Sequence, residues 1–112
     1  MAGQPFKDGP AFVANSVADL YNNSSAAVYT LIRHIHLVNK DASARTLVLY
    51  IGATGGSASG TEILDDYSIA AGDFVDLYFP SGLKLVSTDF LSGVASAASA
   101  IVCTIAGELY AA

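Results

Sequence analysis

The residues with the most chemical potential are His34 and His36, two apart in the run LIRHIHLV. On a strand that spacing puts both imidazoles on one face. Two imidazoles can share a zinc ion, but a zinc site takes three or four protein ligands. The chain has 2 histidines in all, so a third ligand would have to be a carboxylate from another strand, Asp76 for example. Tyr29 and Arg33 fall on the opposite parity. A solvated or interface-facing pair is the favoured reading, and no metal is expected. If the pair met a neighbouring subunit, protonation in mildly acidic solution would place charge there, an assembly switch rather than a catalytic device.

Five carboxylates, Glu62, Asp65, Asp66, Asp73 and Asp76, crowd one segment. Clustered carboxylates can ligate calcium, but the D-x-[DN]-x-[DN]-G spacing of a calcium loop is missing. An acidic edge that discourages wrong strand pairing is favoured instead. Nucleophilic catalysis finds no frame: in Gly55-Gly56-Ser57-Ala58-Ser59-Gly60 an alanine occupies the serine slot of G-x-S-x-G. No phosphate-binding Gly-Lys-Ser/Thr loop occurs. Cys103 sits inward on an apolar strand, where a thiol is inert. The expectation is a protein that is not an enzyme and takes no cofactor.

The histidines belong to residues 31–52, around which the rest of the chain is organised. Leu31, Ile35 and Leu37 alternate on the first arm, with Arg33 the exception, and Leu47, Leu49 and Ile51 alternate on the second. This period of two predicts two strands, read as an antiparallel hairpin closed by the polar loop 39–44. A hairpin is marginal alone and needs a second layer over its apolar face.

Along the chain, residues 1–12 read as an extended arm and residues 13–112 as one β-sandwich domain. Gly3, Pro5, Gly9 and Pro10 deny the arm regular structure, which fits either a disordered tail or an extended segment that lays Phe6 and Phe12 on a neighbouring subunit. A strand follows over residues 11–23, anchored by Val17, Leu20 and Tyr21, with a turn at Asn22-Asn23-Ser24-Ser25. Residues 53–60 are a small-residue loop, expected to be the most mobile piece. Residues 61–69 fit either a helical turn or an edge strand. Residues 73–79 alternate, with Val75, Leu77 and Phe79 on one face and Phe74, Asp76 and Tyr78 on the other. Pro80-Ser81-Gly82 is a turn, Leu83 and Leu85 point inward, and residues 88–99 form a second small-residue loop anchored by Phe90 and Leu91. Ile101, Cys103 and Ile105 line the last strand. Six to eight strands, turn residues between them and no long helix predict an all-β antiparallel sandwich, jelly-roll or immunoglobulin-like.

Bulk composition narrows the function. The chain has 112 residues, 53% hydrophobic and only 13% charged, with a net charge of −5. That length buries roughly two-thirds of the unfolded surface, a single-domain core that needs no staples. A lone cysteine forms no bridge within the chain, so disulfides do not hold this fold. Few charges point to a surface partly covered by other chains. Lys7, Arg33, Lys40, Arg45 and Lys84 are dispersed, which argues against nucleic acid as a partner. No apolar run reaches the ~18 residues of a membrane helix. The first ten residues do not read as a secretory signal, so synthesis in a cytoplasm is expected.

Tyr50 and Tyr78 lie opposite the apolar parity, as do Val48, Phe74 and Val102. A sheet face carrying Tyr, Phe and Val is more apolar than solvent requires, and an interface is favoured over scattered surface aromatics. The expected partner-binding residues are Phe6, Phe12, His34, His36, Tyr50, Phe74 and Tyr78.

A succession of signals carries a family likeness. Asn39 closes a strand; then come Thr46-Leu47-Val48-Leu49-Tyr50, a Gly/Ala/Ser loop and Ser68-Ile69-Ala70-Ala71-Gly72-Asp73. Leu83-x-Leu85, Asp89-x-Leu91-x-Gly93, Ala95-Ser96-Ala97 and Gly107-Glu108 complete it. Across residues 26–108 this resembles the small β-sandwich structural proteins of tailed bacteriophage virions, which include head decoration proteins. The resemblance implies a virion component, assembled in the host cytoplasm. It would cement the head shell by binding its own copies, as a trimer, and the major capsid protein or other virion proteins. Alternatives are a tail or head–tail connector component, or a carbohydrate-binding sandwich using exposed Tyr and Asp.

Overall fold

Alternating apolar residues need a partner layer, and the chain supplies it by folding into two four-stranded antiparallel sheets. The computed structural model describes residues 4–22, 28–52, 60–86 and 89–111. The strands are β1 (Gln4–Phe12), β2 (Ala18–Asn22), β3 (Val28–Asn39), β4 (Arg45–Gly52), β5 (Glu62–Ile69), β6 (Phe74–Val86), β7 (Phe90–Ala95) and β8 (Ile101–Ala111). One sheet has the order β1-β8-β3-β6, the other β2-β7-β4-β5. The antiparallel pairs are nested, β4 with β5, β3 with β6, β2 with β7 and β1 with β8, and they fall alternately into the two sheets. That is a jelly roll, which decides between the two expected topologies. No helix among the described residues is long and apolar enough to cross a membrane.

The expected hairpin over residues 31–52 is instead an arch. β3 pairs with β6 and β8, while β4 pairs with β5 and β7 in the other sheet. Alternation looks the same in a hairpin and in two strands facing each other across a core, and here each arm covers the apolar face of the other. Leu47, Leu49, Ile35 and Leu37 all lie in one buried cluster with Ile32, Leu85, Leu91, Ile101, Cys103 and Ile105.

Arg33 stood out of the alternation because the register shifts there. β3 is offset against both neighbours between Ile32 and His34. Thr30, Ile32, Ile35, Leu37 and Asn39 are therefore the buried set, while Leu31 is only partly buried. Such a bulge bends and twists the strand. Arg33 pins it: Nε donates to Glu108 Oε1 and Nη1 to the Pro80 carbonyl oxygen, each at 2.8 Å. On β8 the bulge faces Gly107, where any Cβ would collide with the Leu31 carbonyl oxygen. On β6 the expected turn Pro80-Ser81-Gly82 is an excursion inside one continuous strand, since Tyr78 faces His34 and Leu83 faces Ile32.

Three further segments depart from expectation. Residues 4–12, read as part of an arm, are the edge strand β1 paired with the chain's own β8. An edge tolerates proline, and the register shift between Asp8 and Ala11 absorbs Gly9 and Pro10. Much of the second small-residue loop is β7, which lies between β2 and β4. Its small residues suit that place, because Leu20 and Leu49 close over Gly93. Residues 62–69 form an edge strand rather than a helical turn. Val17, expected as an anchor, is 40% exposed, whereas Leu20 and Tyr21 do pack on the core. The turn at residues 23–25 and the loop at residues 53–59 lie outside the described residues.

Candidate functional site

The outer face of the β1-β8-β3-β6 sheet gathers the residues that could act. Beyond the bulge, the outward side chains of β3 are His34, His36 and Val38, and the ladders place each in a cross-strand row. Phe12 faces Val102, Val102 faces Val38 and Val38 faces Phe74, which gives an unbroken apolar row across all four strands. In the next row Thr104, His36 and Asp76 lie side by side, and in the one after it Lys7, Ala106, His34 and Tyr78. Phe12, Phe74 and Tyr78 are 48%, 57% and 68% exposed. Pro10, Ala11, Phe12 and Val102 line a shallow apolar depression of about 240 Å³ at one end of the first row. Lys40 Nζ sits 5.5 Å from the centre of the Phe12 ring.

Asp76 joins the two histidines. Its Oδ1 accepts from His36 Nδ1 at 2.5 Å and from His34 Nε2 at 2.7 Å. These bonds, His36 first, hold the Asp76 carboxyl below the usual carboxylate range, against the opposing effect of partial burial. The imidazoles are walled by aromatic rings. His34 stacks on Tyr78 at 4.7 Å and 14°, and His36 lies tilted against Phe74 at 5.4 Å. The three potential ligand atoms lie within 4.8 Å of one another, and this is the group of three or more His, Cys, Asp or Glu side chains so placed among the described residues. Towards the other end of the sheet, Tyr29 and Tyr110 stack at 5.1 Å, with Lys84 Nζ 4.4 Å from the Tyr29 ring centre. The bulge carries Tyr29 to the face of the histidines, against the parity read from the sequence.

Of the expected partner-binding residues, Phe12, His34, His36, Phe74 and Tyr78 share this face. Phe6 and Tyr50 do not. Phe6 packs against the core and stacks on Tyr21 at 5.3 Å, because β1 belongs to the body and turns that ring inward. Tyr50 faces Ser92 and Glu62 on the other sheet, since β3 and β4 are arched apart. Val48, read on the same outer face, goes with Tyr50 and is buried. Val38, a member of the apolar row, was missed: a valine at a strand end gives no signal until the register is known.

The carboxylate segment does not converge. Glu62, Asp65 and Asp66 lie on β5, whereas Asp76 lies on β6 in the other sheet. Cys103 is buried as expected, and burial, with a smaller effect of Asp8, pushes its thiol up to about 12.

No protein-family model matches the chain, and no curated protein matches it. The fold is similar to that of a chain from Bacillus endospore appendages, described as a novel family of disulfide-linked pili. The identity there is 19%, the alignment covers 99% of this chain and 91% of that one, and the TM-score is 0.50. Weaker similarity reaches a chain of infectious bursal disease virus, Gt strain, at 12% identity and TM-score 0.40, over 97% of this chain and 30% of that one. The Gx strain gives 12% and 0.41, over 96% and 28%. These likenesses concern the fold alone.

Proposed function

We propose that the chain is a structural subunit that works by burying the outer face of its β1-β8-β3-β6 sheet against other copies of itself. The observation that carries this reading is the apolar row Phe12, Val102, Val38 and Phe74, with Tyr78 beside it, on a chain only 13% charged. A row of that kind on an open sheet stays in water at a cost of about 25 cal/mol for each Å² of apolar surface. A stable contact takes roughly 800 Å² per partner, and repetition over a lattice multiplies weak contacts.

At finer grain, we propose that the subunit is a head decoration protein of a tailed phage that cements the shell, a reading supported by the sequence resemblance across residues 26–108. The net charge of −5 suits an outer position away from packaged DNA. The Bacillus appendage proteins that share the fold form disulfide-linked pili. No such covalent link is assigned to this chain, because Cys103 is buried.

Sedimentation velocity over a concentration series tests the contact. Self-association is expected in the wild-type chain, and a loss of most of it in Phe12→Ser/Phe74→Ser at unchanged secondary structure. A wild-type chain that stays monomeric throughout the series, or a double variant that associates equally well, overturns the reading. Electron microscopy of the assembled particle tests the head location.

A further inference from the structure

The geometry points to a binding site for a late first-row divalent metal, zinc being the probe, formed by His34 Nε2, His36 Nδ1 and a carboxylate oxygen of Asp76. The inference goes beyond self-association and does not rest on it.

The donor set is the first ground. Two imidazoles and one carboxylate suit zinc and its neighbours in the first transition row, whereas calcium and magnesium take all-oxygen sets. The second ground is convergence. The three ligand atoms lie within 4.8 Å of one another; bonds of about 2.0–2.2 Å to a common centre need the two nitrogens to draw together and each to step back from the carboxylate oxygen that it now touches.

The third ground is support. His36 and Asp76 are direct cross-strand partners, and His34 is one row away on the same strand. Residues on paired strands hold their spacing better than residues on loops. Tyr78 and Phe74 flank the two rings and restrict their rotation.

Both imidazoles now present a ring nitrogen to the same acceptor oxygen. A carboxylate oxygen only accepts, so His34 carries its proton on Nε2 and His36 on Nδ1. Metal binding turns each ring to its other tautomer: the protons move to His34 Nδ1 and His36 Nε2, and the freed lone pairs face the ion. The carboxylate supplies the third bond and one unit of negative charge. All three side chains are partly exposed, at 30%, 35% and 24%. The remaining coordination position therefore opens outward from the sheet, to water or to a ligand atom from outside the chain.

Calorimetric titration of the purified chain with zinc chloride tests the site. One equivalent is expected to bind, with affinity at least tenfold weaker in His36→Ala and in Asp76→Asn, and no heat of binding with calcium chloride. Far-UV circular dichroism shows whether each variant is folded. Cobalt(II) provides a readout independent of affinity: a visible absorption band characteristic of low-coordinate cobalt in the wild type, absent from His34→Ala/His36→Ala. No zinc binding by the wild type, or binding undiminished in the folded variants, overturns the assignment and leaves a hydrogen-bonded triad only. Repeating the titration with Phe12→Ser, which keeps all three ligands, separates this result from self-association. Zinc binding there persists whether or not the subunits associate.

Discussion

The side-chain amide of Asn39 donates to the Ile69 carbonyl oxygen at 2.9 Å, a bond that joins the end of β3 in one sheet to the end of β5 in the other. The same nitrogen donates to the Ser43 carbonyl oxygen at 2.9 Å, and the Asn39 Oδ1 accepts from the Asp41 backbone N–H at 3.0 Å. One fully buried amide thus closes the arch between β3 and β4 and fastens it to the opposite layer. Asn39→Ala removes the side-chain partner of the buried Ile69 carbonyl oxygen and of the part-buried Ser43 carbonyl and Asp41 N–H; a buried group left unpaired costs about 1–3 kcal/mol. The expected loss is about 2–4 kcal/mol in urea unfolding, with an unchanged slope. A loss within ~0.5 kcal/mol, the range of ordinary surface changes, would contradict this role.

Asp76 makes stability depend on acidity. Its carboxyl titrates below the ordinary aspartate value of 3.8 in the folded protein, chiefly through the hydrogen bond from His36 and then that from His34. A depressed carboxylate contributes stability that is fully present above the unfolded value and is lost as pH falls through the folded one. The gap in urea midpoint between wild type and Asp76→Asn is therefore expected to narrow as pH falls below 3.8. A gap independent of pH down to the acid transition would remove the linkage.

Cys103 is expected to be inert while the protein is folded. With its thiol at about 12 rather than near the ordinary cysteine value of 9.0, the thiolate fraction at neutral pH falls by about a thousandfold. Labelling with a chromogenic disulfide reagent should be slow in buffer and fast in denaturant, and non-reducing gels should show no disulfide-linked dimer. Rapid native labelling would contradict this.

Removal of residues 1–12 is expected to damage the fold, not merely an interaction. Gln4 to Phe12 pair with β8 from Leu109 to Val102, so the truncation bares a long edge of that strand. Exposed edges invite pairing with other chains. The truncated protein should melt at lower temperature and aggregate on concentration. A truncated chain with unchanged melting temperature and good solubility would restore the independent arm.

Alternation revealed most strands, and their inward residues on β6 and β8, because a period of two survives whichever sheet a strand joins. It did not reveal which strands pair. Residues 31–52 read as a hairpin because alternation carries no information on whether two arms lie side by side or face to face. Arg33 broke the pattern visibly, and the break was the bulge itself, yet a single charged residue does not announce that everything before it changes face. β7 was hidden by its small residues, which look like loop and are there because Leu20 and Leu49 occupy the space. β1 was hidden by Pro5, Gly9 and Pro10, which an edge tolerates and a central strand does not. At the site, His34 and His36 were legible as a pair from spacing alone. Their carboxylate partner was legible only as a candidate, since the β3–β6 register that sets Asp76 opposite His36 depends on the excursion at residues 79–82.

The pairing of Gln4 with Leu109 brings the first and last stretches of the described chain to a common corner of the molecule. A peptide fused at Gln4 would emerge beside one fused at Leu109. A short linker bridging that corner would permit new openings elsewhere along the polypeptide, so the molecule lends itself to circular permutation and to tandem fusion.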